Sequence, residues 1–165
     1  MRNLVKTFGN VGNLVITLLV VSVIIHIFVF TGLDSDILDI GFIRVSEYAR
    51  DISSTTGVIL LIVGGIIAIL SHRSIRAAIQ DGEIKYVIKT GVFRFVRHPL
   101  YLSVMMMSLS LALLINSYLL LLTFFIVIVV LVCEAKWEEG ILTKKFGDEY
   151  MEYKRVTGMF LPKIL

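Results

Sequence analysis

Apolar residues run along this chain in long unbroken stretches, not in the short alternations of a soluble domain. Residues 11–30 and 52–71 are each 20 residues without an Asp, Glu, Lys or Arg, and about 20 residues at about 1.5 Å rise cross a hydrocarbon core of about 30 Å. Both are expected transmembrane helices. Arg2 and Lys6 precede the first as they would in a signal peptide, but its apolar region is too long and no Ala-x-Ala-like cleavage site follows, so an uncleaved anchor is expected. A third stretch, residues 99–133, runs 35 residues without a charge. As one helix it would be about 52 Å long, so it must fold back. Asn116 and Ser117 lie near its middle and are the natural tip of a tight helical hairpin with arms of 17 and 16 residues, short enough to thin the bilayer or to end among headgroups. The pattern predicts an all-α integral membrane protein of about four transmembrane helices.

Composition agrees, with 57% hydrophobic residues, 18% charged and a mean hydropathy of +0.89. A net charge of +3 and a pI near 9.1 raise nucleic acid as a partner, but the basic residues flank apolar segments and gather on no soluble face. No nucleic-acid partner is expected; the partner is the lipid bilayer. Of the 16 Lys and Arg, 14 fall in the first ten residues, in residues 72–98 and after Cys133. Arg44 and Arg50 share residues 31–51 with five acids. Four spans place the basic segments on one side, so the positive-inside rule puts both termini in the cytoplasm of a multi-pass protein. Cys133 is the single cysteine, with no Cys or His at ligand spacing, and no metal site is expected. His26 in the first span reads as a neutral histidine bonded to a neighbouring helix, Gly64-Gly65 as a close helix contact, and Met105 to Met107 as core or lipid-facing packing.

Charged and aromatic residues without an obvious structural task concentrate in residues 85–101, KYVIKTGVFRFVRHPLY, and 134–162, EAKWEEGILTKKFGDEYMEYKRVTGMFLP. Each abuts one end of the hairpin, which brings them together although 32 residues separate Tyr101 from Glu134. Pro99 suits the first turn of a helix. Arg97, His98 and Tyr101 are also what an ordinary span boundary carries. Glu134, Glu138 and Glu139 are expected to open a polar helix below the span, with Glu134 and Glu138 one turn apart; acids there would also suit the helix dipole.

The order GVFRFVRHPLY, an apolar hairpin, then EExxLxxxFGxxYxxY closing near a Pro resembles the isoprenylcysteine carboxyl methyltransferase family and its relatives among phospholipid methyltransferases. The resemblance covers about residues 85–162 and includes Gly91, Arg97, His98, Pro99, Tyr101, Glu138, Glu139, Leu142, Phe146, Gly147, Tyr150 and Tyr153. It implies S-adenosylmethionine as cofactor, held in a cytoplasmic cap closed by the C-terminal segment, with the acceptor arriving from the bilayer. It further implies that Tyr86, Val87 and Ile88 touch the adenosine. Phe93 stands where the family usually has a Tyr and offers a ring without a hydroxyl. His98 and Tyr101, with Pro99 and Leu100 between them, would hold the amino-acid end of the cofactor, and Glu138 its ammonium or ribose hydroxyls. Ser103 replaces a usual Gly, and Glu134 replaces an Arg that eukaryotic members use for the substrate carboxylate.

The resemblance divides the chain into N-terminal spans, residues 1–84, and a methyltransferase core, residues 85–165. No residue is assigned to catalysis, and the candidates are Arg97, Glu134 and Glu138. A sulfonium attracts aromatic faces and carboxylates, and methyl transfer needs only an in-line nucleophile, so positioning and desolvation supply the acceleration without a metal. No GxGxxG turn of a Rossmann-type methyltransferase is present. The acceptor is expected to be lipophilic or prenylated, with carboxyl methylation of an isoprenylcysteine first and a lipid amine or small thiol as alternatives. Losing the Arg at position 134 weakens the carboxylate option unless Arg97, Arg94 or Arg155 substitutes. A non-catalytic lipid-binding scaffold is the rival of another class. A channel or transporter is disfavoured because no span carries a charge.

Overall fold

The computed structural model describes residues 46–80 and 83–163. The first apolar stretch with His26, and the N-terminal end, lie outside the described residues. Within them the order is α1 (Glu47–Ala78), a two-residue ladder of β1 (Ile79–Gln80) with β2 (Glu83–Ile84), a 3-10 turn (Gly91–Arg94), α2 (Pro99–Ile115), α3 (Tyr118–Phe146) and α4 (Asp148–Val156). The protein is therefore mostly helical. The small antiparallel ladder, in which Ile79 pairs with Ile84 and Gln80 with Glu83, is an addition to the all-α expectation.

α1 and α3 are 32 and 29 residues long, apolar enough to cross a membrane, and only 11% and 22% of their most apolar stretches are buried. A core helix of a soluble protein would be covered; Ile59, Ile62, Ile66 and Ile69 on α1 and Leu122, Phe125 and Val129 on α3 face outward. Such helices belong in lipid, where helical backbone satisfies its own hydrogen bonds. α2 is a shorter apolar helix of 17 residues.

α1 and α2 pack antiparallel along a seam of small residues. The buried positions of α1 are Gly57, Gly64, Ser71 and Ala78, a strict seven-residue repeat, and Ser103 and Ser110 on α2 repeat at the same interval. A repeat of seven keeps one stripe facing one partner, and in lipid small residues let backbones approach. Ser110 Oγ donates to Gly57 O at 2.7 Å, and Ser53 Oγ to Leu113 O at 2.9 Å and Asn116 Oδ1 at 3.1 Å. A Cβ on Gly57 would stand 2.9 Å from Leu114 Cγ and 3.2 Å from Ser110 O, whereas one on Gly65 would meet nothing within 4 Å. Gly57→Val is therefore expected to destabilise the folded protein by about 1–3 kcal/mol through overpacking. Gly65→Val should cost nothing, since it removes a flexible residue from a half-buried helix position with room for the side chain. Thermal melts of both variants in detergent check the pair.

The hairpin turns where the sequence predicts. Asn116 takes the left-handed conformation (φ 51°, ψ 51°) that ends α2, and the Ser117 side chain accepts from Leu120 N at 3.4 Å to begin α3; Asn tolerates that conformation and Ser caps helix starts. Tyr101 on α2 packs with Val127, Leu131 and Ala135 on α3.

One expectation is corrected. No new polar helix opens at Glu134, because α3 continues through it to Phe146. Nothing between Cys133 and Lys145 breaks a helix except the tolerated Gly140, and Ala, Lys and Glu favour continuation. The acids thus lie in the second half of a long helix. Gly147 (φ 55°, ψ −130°) then makes the sharp turn into α4, in a region that residues with a Cβ avoid.

Candidate active site

The inward stripe of α3 continues from core into site. Val127, Leu131, Ala135, Glu138 and Leu142 follow the spacing of one helical face, and at Glu138 that face passes from packing against Tyr101 to bordering a cavity. The cavity holds about 590 Å³ of empty space, counting its open mouth. Its walls come from the end of α1 (Ile75), β2 and the segment after it (Ile84, Tyr86, Val87, Ile88), the 3-10 turn (Phe93), the start of α2 (Arg97 to Tyr101), the end of α3 (Glu138, Leu142, Phe146) and α4 (Tyr150, Tyr153).

Local sequence explains each contribution. The 3-10 turn starts at Gly91 with φ 61° and buries Phe93, whose carbonyl accepts from Tyr153 Oη at 2.6 Å. Pro99 is the first residue of α2, and His98 before it is the N-cap. Tyr150 and Tyr153, three apart on α4, turn one face inward with ring centroids 6.0 Å apart and pack with Val87. Asp148 and Glu149 in the first turn of α4, and Lys154 and Arg155 in its last, suit the helix dipole.

All nine residues expected at the cofactor, Tyr86, Val87, Ile88, Phe93, His98, Pro99, Leu100, Tyr101 and Glu138, border this single cavity. Arg97 borders it too; Glu134 does not. Ile75, Ile84, Leu142, Phe146, Tyr150 and Tyr153 line the cavity without a site role expected from the sequence. The last four belong to the spaced motif that carried the resemblance, so a signal for them existed; for Ile75, near the end of a span, there was none.

The polar centre is His98, buried between two carboxylates. Its Nδ1 is 3.5 Å from Glu138 Oε2 and its Nε2 is 3.4 Å from Glu139 Oε1. Its ring stacks on Tyr101 with centroids 5.5 Å apart and planes 5° apart, and the Phe160 ring tilts against it at 6.0 Å. Burial pulls the His98 pKa down, but the bonds and charges of Glu138 and Glu139 outweigh it, so the imidazole holds its proton more firmly than usual. Arg97 Nε donates to Glu139 Oε1 at 2.8 Å and Nη2 lies 2.7 Å from the same oxygen, while Nη1 donates to the carbonyls of Lys154 and Thr157. Three buried polar atoms of the cavity residues lack a well-directed partner: His98 Nε2, Glu138 Oε2 and Tyr150 Oη. Burying such an atom unsatisfied costs about 1–3 kcal/mol.

Tyr118 and Trp137 are 54% and 49% exposed at positions 19 residues apart, which is about 28 Å along a helix. Exposed Tyr and Trp mark the two faces of a hydrocarbon core of about 30 Å. Glu138 follows Trp137 directly, at one end of that stretch of α3.

No curated protein and no solved structure matches the chain. A family model does: the one described as phospholipid methyltransferase matches residues 52–149, from α1 through the turn into α4, more than half of the chain and nearly the whole cavity wall. The chain belongs to the phospholipid methyltransferase family.

Proposed function

We propose that the cavity binds S-adenosylmethionine and that the protein methylates a lipid amine presented at headgroup depth on the cytoplasmic side. The observation that carries this reading is the meeting of residues 86–88, Phe93, His98 to Tyr101 and Glu138 around one cavity beyond the apolar stretch of α3. The residues present fit the cofactor. The wall is aromatic and aliphatic, with a carboxylate oxygen, an imidazole nitrogen and a phenol hydroxyl each short of a partner. That set suits a ligand with hydroxyls, an ammonium and a cationic centre. Bound there, S-adenosylmethionine supplies a methyl group activated by a sulfonium.

The protein's own part is to bind, orient and exclude water. Val87, Leu142, Phe146 and Phe93 give apolar surface, and Tyr86 stands half-exposed at the rim. His98 and Glu138 supply the polar contacts, and a tightly positioned, dehydrated pair of reactants needs little else.

Charge selects the acceptor. A prenylcysteine carboxylate, first in the sequence reading, needs a cation in the site. Arg97 is the Lys or Arg bordering the cavity among the described residues, and its nitrogens are taken up by Glu139, Lys154 and Thr157, while the His98 imidazole lies between the Glu138 and Glu139 carboxylates. Glu138 Oε2, by contrast, has no well-directed hydrogen-bond partner, with His98 Nδ1 3.5 Å away. We therefore place the amine ahead of the carboxylate.

Purified protein incubated with methyl-labelled S-adenosylmethionine and a membrane lipid extract is expected to place label on the amine headgroup of a lipid, as N-methyl groups that mild base does not release. Volatile label released by base would mark a carboxyl ester and overturn the acceptor. No labelled lipid at all from a demonstrably folded protein would overturn the enzymatic reading in favour of a scaffold.

A further inference from the structure

Glu138 and Glu139 are neighbours on α3, 7% and 2% exposed, yet their surroundings differ. Glu138 borders the cavity and Glu139 does not. Glu139 is where three separate pieces of chain meet. Its Oε1 takes Arg97 Nε and Nη2 from the segment before α2, and its Oε2 takes Lys154 Nζ from α4 at 2.7 Å. His98 stands beside it.

Beyond Lys154 the chain runs back over the site. Thr157 accepts from Arg97 Nη1, Arg97 N donates to Gly158 O at 2.8 Å, and His98 N donates to Met159 O at 3.1 Å. Met159 and Phe160 then pack against the Tyr101–Leu131 cluster, with Phe160 beside the His98 ring. A Cβ on Gly158 would overlap the Leu161 carbonyl, so the segment is tightly folded where it is pinned. Lys154 and Arg97 are two cations held close to one another by a single carboxylate between them. Without it they repel, and each regains water by separating.

We propose that Glu139 is a positioning residue whose carboxylate clamps the segment from Lys154 to Phe160 onto Arg97 and His98, and that the cavity keeps its binding shape only while this clamp is closed. Opening takes Phe160 from the His98 ring and returns the His98 and Arg97 backbone N–H groups to water. The link from clamp to cofactor affinity rests on the function proposed above; the clamp itself does not.

Limited trypsin digestion in detergent tests it without any ligand. Glu139→Gln is expected to speed cleavage after Arg155 by about tenfold or more, because proteolysis follows the population of the locally open form. Cleavage after Arg76, at the far side of the ladder, should keep its wild-type rate. Lys154→Met, which leaves Arg97 paired, should speed cleavage after Arg155 by a smaller factor, and Glu139→Asp, which keeps the charge, should restore most of the protection. Wild-type protein should gain further protection at Arg155 from S-adenosylmethionine. Unchanged cleavage after Arg155 in Glu139→Gln, or equal acceleration at Arg76 and Arg155, would refute the clamp. So would lost cofactor binding in that variant with protection intact, since Glu139 would then be a ligand. Absence of cofactor binding by the wild-type protein would count against the proposed function, while the digestion pattern alone still decides the clamp.

Discussion

Glu138→Gln is expected to raise the dissociation constant for S-adenosylmethionine roughly tenfold to a hundredfold while leaving the melting temperature of the ligand-free protein near wild type. The carboxylate is buried, borders the cavity, and has one oxygen without a hydrogen-bond donor. If that oxygen receives the cofactor's ammonium or hydroxyls, the bond lost is one to a charged group, worth about 1.5–3 kcal/mol. The amide is nearly the same size, so packing survives. A competing account, that the acid serves the helix dipole, has no helix end to act on, because Glu138 lies well inside Tyr118–Phe146. Calorimetry and a melt on the same variant separate the two: unchanged affinity with lowered stability would remove Glu138 from the site.

Arg97→Met should do the reverse, lowering stability first. Its side chain is 8% exposed and its partner Glu139 is 3% exposed. Removing one member of a buried pair leaves the other charge without compensation, at about 3–5 kcal/mol. The lower end is expected here because Lys154 still reaches Glu139. Arg97→Lys should recover only part of the loss, since a single ammonium cannot bond Glu139 and the Thr157 carbonyl as the guanidinium fork does. Denaturant or thermal unfolding in detergent checks the order wild type, Lys, Met. A stable Arg97→Met protein that binds cofactor but does not turn over would instead return Arg97 to the list of groups that act on the acceptor.

The membrane class, the second span, the fold-back at Asn116-Ser117 and the pairing of two polar segments were all legible in the sequence. These are one-dimensional signals: run length against bilayer thickness, a capping dipeptide inside an apolar run, and motif spacing. The seven-residue repeat Gly57, Gly64, Ser71, Ala78 was equally present as a pattern. It acquires meaning only once α2 supplies Ser103 and Ser110 opposite it. Most of the cavity-lining residues were legible because the two motif-bearing segments carry them; Ile75 and Ile84 are exceptions that no motif marks.

The different tasks of the two adjacent glutamates were not legible. Side by side on a helix, Glu138 and Glu139 are the same residue type in the same pattern, and about 100° of rotation separates them. Only the packing of α2 and α4 against α3 turns one toward the cavity and the other toward Arg97 and Lys154. The same holds for Arg97, which the sequence offers as a free cation for an anionic acceptor. Whether a buried charge is available or already paired depends on distances of a few ångströms between segments more than 40 residues apart, and those distances exist only in the folded chain.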